Sequence, residues 1–157
     1  MDVQGRYGRN LLLLGVLAFA HALLTWPVQR ALALFVGGAA IAFAAEVAVG
    51  QAGLVEHRLE PQVLGVPAVV VLAWPATVYV ALRLVATVVP LGLGAAVLTA
   101  VLATLVDAWA DPRGVADRVW RYPRVPVSRR RYRDVPYWNF AGWLVVAFLI
   151  AALAAFA

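Results

Sequence analysis

The chain contains no cysteine and no lysine, and only one methionine and two histidines. Without cysteine there is no disulfide, no thiolate zinc or iron–sulfur ligation and no thiol nucleophile. His21 and His57 are too few for a His-rich metal site, so no metal is expected. Charge is scarce as well. Only 13% of the 157 residues are charged, against about 25% in an ordinary soluble domain. Hydrocarbon takes its place: 64% of the residues are hydrophobic and the mean hydropathy is +0.86. That balance describes a chain solvated by lipid.

The missing lysine leaves arginine to carry all the positive charge, for a net +5. A basic chain can point to nucleic acid. Here the arginines sit beside apolar runs, where orientation and anionic headgroups account for them. Membrane lipid is therefore the expected partner, and nucleic acid is not.

Five apolar segments run over residues 11–27, 31–49, 66–89, 91–110 and 139–157, each near the roughly 20 residues that cross a bilayer. They are apolar on all sides, as membrane helices are. The expected fold is all-α: a polytopic bundle of five transmembrane helices forming one integral membrane domain over 1–157. Ala40, Ala44 and Ala48 fall four apart, as do Ala96, Ala100 and Thr104, a spacing that lets helices approach closely in lipid. No internal repeat and no low-complexity linker stand out. The first segment, with Arg6, Arg9, a Leu-rich stretch and Ala20-His21-Ala22, also fits a secretory signal.

Arginine placement orients the bundle. Five spans put the N-terminus, the 50–65 loop and the 111–138 loop on one side, with Arg6, Arg9, Arg58 and the eight arginines between 113 and 133. Arg30 and Arg83 fall towards the other side. The positive-inside rule makes the arginine-rich side cytoplasmic, in a multi-pass protein of the cell membrane. Within the long loop, Asp111 as N-cap and Pro112 as first helical residue predict a short interfacial helix. The SRRRYRD tract (128–134) reads as a headgroup-binding patch, with a substrate-phosphate site as the other reading. Tyr137, Trp138 and Trp143 read as an aromatic belt at the entry of the last span.

Ionisable residues in membrane spans are candidates for function by default. The topology brings Glu46, Asp107 and Asp111 to one membrane depth, with Glu56 and His57 in the loop at that level. Each also has a plainer explanation. Asp111 can serve as an N-cap, Asp107 and Glu46 can pair with loop arginines, and His57 can be an ordinary loop residue. His21 can be a hydrogen-bonded packing residue, and Arg83 can snorkel to the interface. Asp107 is the hardest to explain plainly, because a helix C-terminus disfavours an anion by up to about 1 kcal/mol. Two carboxyls sharing one apolar cavity would hold a protonated acid beside an ionised base. Such a pair can protonate an alkene and position a water.

The ordered strings AAEVAVGQAG (44–53), LEPQVLGVPAVVVLAW (59–74), DAWADP (107–112), Trp120 and VPYWNFAGW (135–143) resemble the carotenoid biosynthesis membrane protein family, which includes carotenoid hydratases. The chain departs from the family pattern at LVEHRLEP, where His57 stands in place of a tyrosine. The resemblance implies addition of water to a terminal isoprenoid double bond of an acyclic carotenoid or polyprenyl lipid, with no cofactor. It implies Asp107, Glu46 and Asp111 as catalytic residues, and Asn139, Trp74, Trp120 and Trp143 as substrate-binding residues; His57, in the loop at the same depth, is a further substrate-binding candidate. Two other readings stand beside it: a non-catalytic membrane subunit or lipid-binding scaffold, and a proton-coupled transporter. Five helices enclose only a modest cavity, so a homodimer is also an expectation.

Overall fold

A computed structural model describes residues 3–157, with Ser128 described by its backbone alone. Its helices are α1 (Val3–Thr25), α2 (Val28–Leu32), α3 (Gly38–Gln51), α4 (Ala68–Val85), α5 (Leu93–Ala116) and α6 (Tyr137–Phe156). A π-helical turn, Ala33–Gly37, joins α2 and α3 into one span, Val28–Gln51. Five spans are thus long and apolar enough to cross a bilayer, and the chain is a multi-pass, all-α membrane protein.

The spans close on one another through their smallest residues. A Cβ at Gly38 would lie 2.8 Å from Ile150 Cγ2, and one at Gly37 would lie 2.9 Å from Leu153 Cδ1. Hydrogen at both positions lets the π turn press against α6, which matters in lipid, where packing rather than water drives helix association. Ala96, Ala100 and Ala103 of α5 are buried in the same way. The expected Ala40, Ala44 and Ala48 contact does not form. All three face outward, and Gly38 and Ala42 are the buried residues of α3.

The expected interfacial helix is not a separate element. α5 continues through Pro112 to Ala116, and the loop after it holds only short strands and a 3-10 turn, Pro126–Ser128. Pro112 deprives the Ala108 carbonyl of a donor, while Arg113 Nη1 donates to the Trp109 carbonyl at 2.6 Å. Asp111 therefore lies inside a helix and caps nothing. Its side chain is taken up by tertiary hydrogen bonds instead.

Six two-residue strands make three antiparallel ribbons. β1 (Glu56–His57) pairs with β4 (Trp120–Arg121), β2 (Gln62–Val63) with β3 (Val66–Pro67), and β5 (Arg131–Tyr132) with β6 (Val135–Pro136). The last two ribbons are copies in register: Gln62↔Pro67 and Val63↔Val66 recur as Arg131↔Pro136 and Tyr132↔Val135, a constant offset of 69. Both turn residues are left-handed in each, Leu64 and Gly65 in one and Arg133 and Asp134 in the other, as a two-residue primed hairpin requires. Each hairpin leads directly into a helix, α4 or α6, behind Pro67 or Pro136.

The order helix, strand, hairpin, helix thus occurs twice, as α3–β1–β2–β3–α4 and as α5–β4–β5–β6–α6. The antiparallel β1–β4 pair joins the copies, with His57 opposite Trp120. Trp74 and Trp143, again 69 apart, stack with centroids 3.6 Å apart and planes 16° from parallel. A two-fold relation between the units accounts for both contacts, so the chain carries an internal repeat that its sequence hides.

Candidate active site

A cavity of about 160 Å³ opens where the two units meet, near the ribbon end of the bundle. α4 lines it with Val70, Ala73, Trp74 and Thr77, and α6 with Trp138, Asn139, Gly142, Trp143 and Val146. The last four of these α6 positions are the α4 positions offset by 69. α3 adds Ala45, Glu46 and Val49, α5 adds Val106, Asp107, Ala110 and Asp111, and α1 adds Tyr7 and Leu11. All eight residues expected at a site, Glu46, His57, Trp74, Asp107, Asp111, Trp120, Asn139 and Trp143, line this one cavity.

The three carboxyls are held by side-chain hydrogen bonds. Trp74 Nε1 donates to Glu46 Oε1 at 2.8 Å, and His57 Nε2 lies 3.1 Å from Glu46 Oε2. Across the cavity, Asn139 Nδ2 donates to Asp107 Oδ2 at 3.1 Å and to Asp111 Oδ2 at 2.8 Å, bridging carboxyls one helical turn apart. Asp111 also accepts from the indole of Trp120 and, at 2.7 Å, from the Tyr122 hydroxyl. Burial holds the Tyr122 phenol well above its usual range, and Asp111 beside it acts in the same direction. Tyr122 therefore stays protonated and keeps donating.

None of the three pairs with an arginine among the described residues, where the arginine–carboxylate ion pair is the exposed Arg121–Glu56. The loop-arginine explanation for Asp107 and Glu46 is thereby removed. Asp107 and Asp111 are 8% and 2% exposed. Burying carboxyls without a cation is costly unless they are hydrogen-bonded and share protons. The elements around the site are shaped to provide this. A Cβ at Gly114 would lie 2.2 Å from Trp120 Cζ2, so only glycine lets the Trp120 ring lie on α5 and reach Asp111. Tyr7 and His57 then pack edge-on against that ring, with centroids at 5.3 and 6.4 Å.

Residues 7–157 match the sequence profile of the carotenoid biosynthesis protein family. The chain belongs to that family. Its membership, together with the five spans, places it in carotenoid biosynthesis within a membrane. No curated protein and no solved structure matches this family member.

Two residues of the expected aromatic belt turn out to face inward in this family member. Trp143 stacks on Trp74, and Trp138 lines the cavity and packs edge-on against Tyr122; Tyr137 stays exposed. Tyr7 and Tyr122 are site residues that the sequence did not reveal. Tyr122 could have been found from its two-residue spacing from Trp120, which points both side chains to one face of an extended segment. His21 lies elsewhere, its Nδ1 2.6 Å from the Tyr79 hydroxyl, as a hydrogen-bonded packing residue would. Arg83 reaches over Trp26, 6.0 Å from the ring centroid.

Proposed function

We propose that the protein is an integral membrane hydratase that adds water to a terminal isoprenoid double bond of an acyclic carotenoid. One observation carries the reading: three carboxyls without an arginine partner, Asp107 and Asp111 of them buried, converge on an apolar cavity walled by tryptophan. The cavity's size favours an enzyme acting on a chain end. A space on the order of 150 Å³ holds one benzene-sized group, so an end isoprene unit enters while the rest of the polyene lies in the bilayer.

Asp107 gives its proton to the less substituted alkene carbon, leaving a tertiary carbocation. The indole walls of Trp74 and Trp143 favour that cation, and water adds to it to give a tertiary alcohol. Asn139 keeps Asp107 and Asp111 together so that one of them carries the proton. His57 and Glu46, on the opposite unit, form the wall at which the water is held. No redox or metal chemistry is called for. The arginine-rich loops face the cytoplasm in this reading, with the 128–134 tract against lipid headgroups.

A scaffold role needs carboxylates occupied by arginines, and two arginines of the long loop are engaged otherwise. Arg121 pairs with Glu56, and Arg131 donates to the Tyr122, Pro123 and Asp134 carbonyls. The test is to supply the protein with an acyclic carotenoid and measure mono- and bis-hydroxylated products. Asp107→Asn is expected to lower product formation by about 10²–10⁴-fold, the usual contribution of a general acid. Undiminished activity in both Asp107→Asn and Glu46→Gln would sink the assignment.

A further inference from the structure

Each polar side chain that grips a cavity carboxyl uses its donor, yet one ring nitrogen is left over. His57 is 6% exposed in its side chain, its Nε2 faces Glu46, and its Nδ1 has no partner. Arg30 Nε and Thr99 Oγ1 are likewise buried without partners, but neither residue lines the cavity. A buried nitrogen without a partner is uncommon in a folded protein. The ring cannot turn away to relieve it without losing Glu46 and the edge contact with Trp120.

With Glu46 as the acceptor, the arrangement fits one tautomer of the His57 ring. Glu46 accepts the Trp74 indole N–H on Oε1, so its carboxylate is held in place. Its Oε2 then takes the proton-bearing Nε2 of His57, which leaves a lone pair on Nδ1. In that tautomer the basic nitrogen of the ring is Nδ1, which has no partner. It sits on the first unit, opposite the Asp107–Asn139–Asp111 cluster of the second.

We propose that His57 is the base of the reaction: Nδ1 takes a proton from the water that captures the carbocation, and Glu46 is a positioning residue behind it. This rests on the hydratase reading and divides the work between the two units. The alkene π pair forms the new C–H bond with the Asp107 proton. A water lone pair forms the C–O bond, and one water proton passes to Nδ1. Asp107 is left ionised and His57 charged beside Glu46. Return of that proton to Asp107 through water restores both groups and consumes only water.

The test uses the full chain in lipid nanodiscs with an acyclic carotenoid in D₂O. It follows alcohol formation and deuterium entering the recovered alkene, which reports protonation and its reversal. His57→Gln keeps a donor towards Glu46 but has no basic nitrogen. It is expected to lose alcohol by at least about 100-fold while still exchanging deuterium into the alkene, whereas Asp107→Asn loses both. Alcohol within about threefold of wild type in His57→Gln, or joint loss of alcohol and exchange in a folded variant, overturns the assignment of His57. A wild-type protein that forms no alcohol instead overturns the hydratase reading itself. A second measurement needs no variant. With two histidines in the chain, nitrogen-15 labelling resolves both rings. The His57 ring is expected to carry its proton on Nε2, and a proton on Nδ1 overturns the proposal.

Discussion

Gly114 is the position where one added carbon should do the most damage for the least chemical change. Alanine there would place Cβ 2.2 Å from Trp120 Cζ2, 2.6 Å from Cε2 and 2.7 Å from Cη2. These are atoms of a rigid ring rather than the end of a flexible side chain, so the whole indole must shift. The shift breaks its hydrogen bond to Asp111 and loosens Tyr7 and His57, which pack on the same ring. Overpacking costs about 1–3 kcal/mol, and the lost bond about 1.5–3 kcal/mol if Asp111 is charged. The better helix propensity of alanine offsets about 1 kcal/mol. A net loss of about 1.5–5 kcal/mol follows, which at about 2–4 °C per kcal/mol lowers the detergent-phase Tm by on the order of 10 °C. Gly94→Ala is the control. It lies in the same helix with nothing within 4 Å of the added Cβ, so it should leave Tm unchanged or slightly raised. Equal thermal stability of Gly114→Ala and Gly94→Ala would refute the argument that Trp120 needs this glycine.

Trp74→Phe keeps an aromatic ring against Trp143 but removes the N–H that Glu46 accepts; hydroxylated product should fall at least tenfold with the protein still folded. Tyr122→Phe removes one of the donors to Asp111 and should lower Tm by the few degrees that about 1–2 kcal/mol represents. Because the chain has no cysteine, single substitutions report topology directly. Val127→Cys and Val88→Cys, both at exposed positions, should be labelled from opposite sides of sealed vesicles, Val127 from the cytoplasmic side. A chain divided between Val89 and Pro90, in the connection between the two units, should reassemble when the parts are co-expressed. Failure of the parts to co-purify would count against the units being complete in themselves.

The spans and their number were legible because lipid demands it: about 20 apolar residues per crossing is a constraint that sequence cannot disguise. The end of α5 was not. Asp111-Pro112 carries the local signature of a helix start, yet the helix runs through it. The signature weighs one side-chain bond to backbone N–H groups. In the folded chain Asp111 instead meets Trp120, Tyr122 and Asn139, the last of these 28 residues away. Three tertiary bonds outweigh one cap, and none of them is visible in a window of a few residues. The alanine spacing in α3 misled for a related reason. Small residues permit close approach but do not choose the face, and the Gly37–Gly38 step beside the π turn chose it instead.

The site itself was legible in composition and depth, and hidden in pairing. In a chain so poor in charge, carboxyls at one level of the bilayer could be expected to meet, and they line one cavity. What depth cannot supply is which groups face one another, and that follows from the repeat. VPAVVVLAW (66–74) and VPYWNFAGW (135–143) share Val-Pro at one end and a tryptophan at the other, with little identity between. Such a match is weak as a string. It becomes decisive once both Val-Pro pairs close the same hairpin and both tryptophans stack on each other. The divergence within the match falls at the cavity: Val70 of one unit is Asn139 of the other, and Ala73 is Gly142. A symmetric apolar cavity would hold an alkene and do nothing to it. Replacing one valine by the asparagine that joins Asp107 to Asp111, while the other unit keeps Glu46 under His57, gives the cavity two unlike faces. The proposed reaction, which adds a proton at one carbon and a hydroxyl at the next, needs that asymmetry.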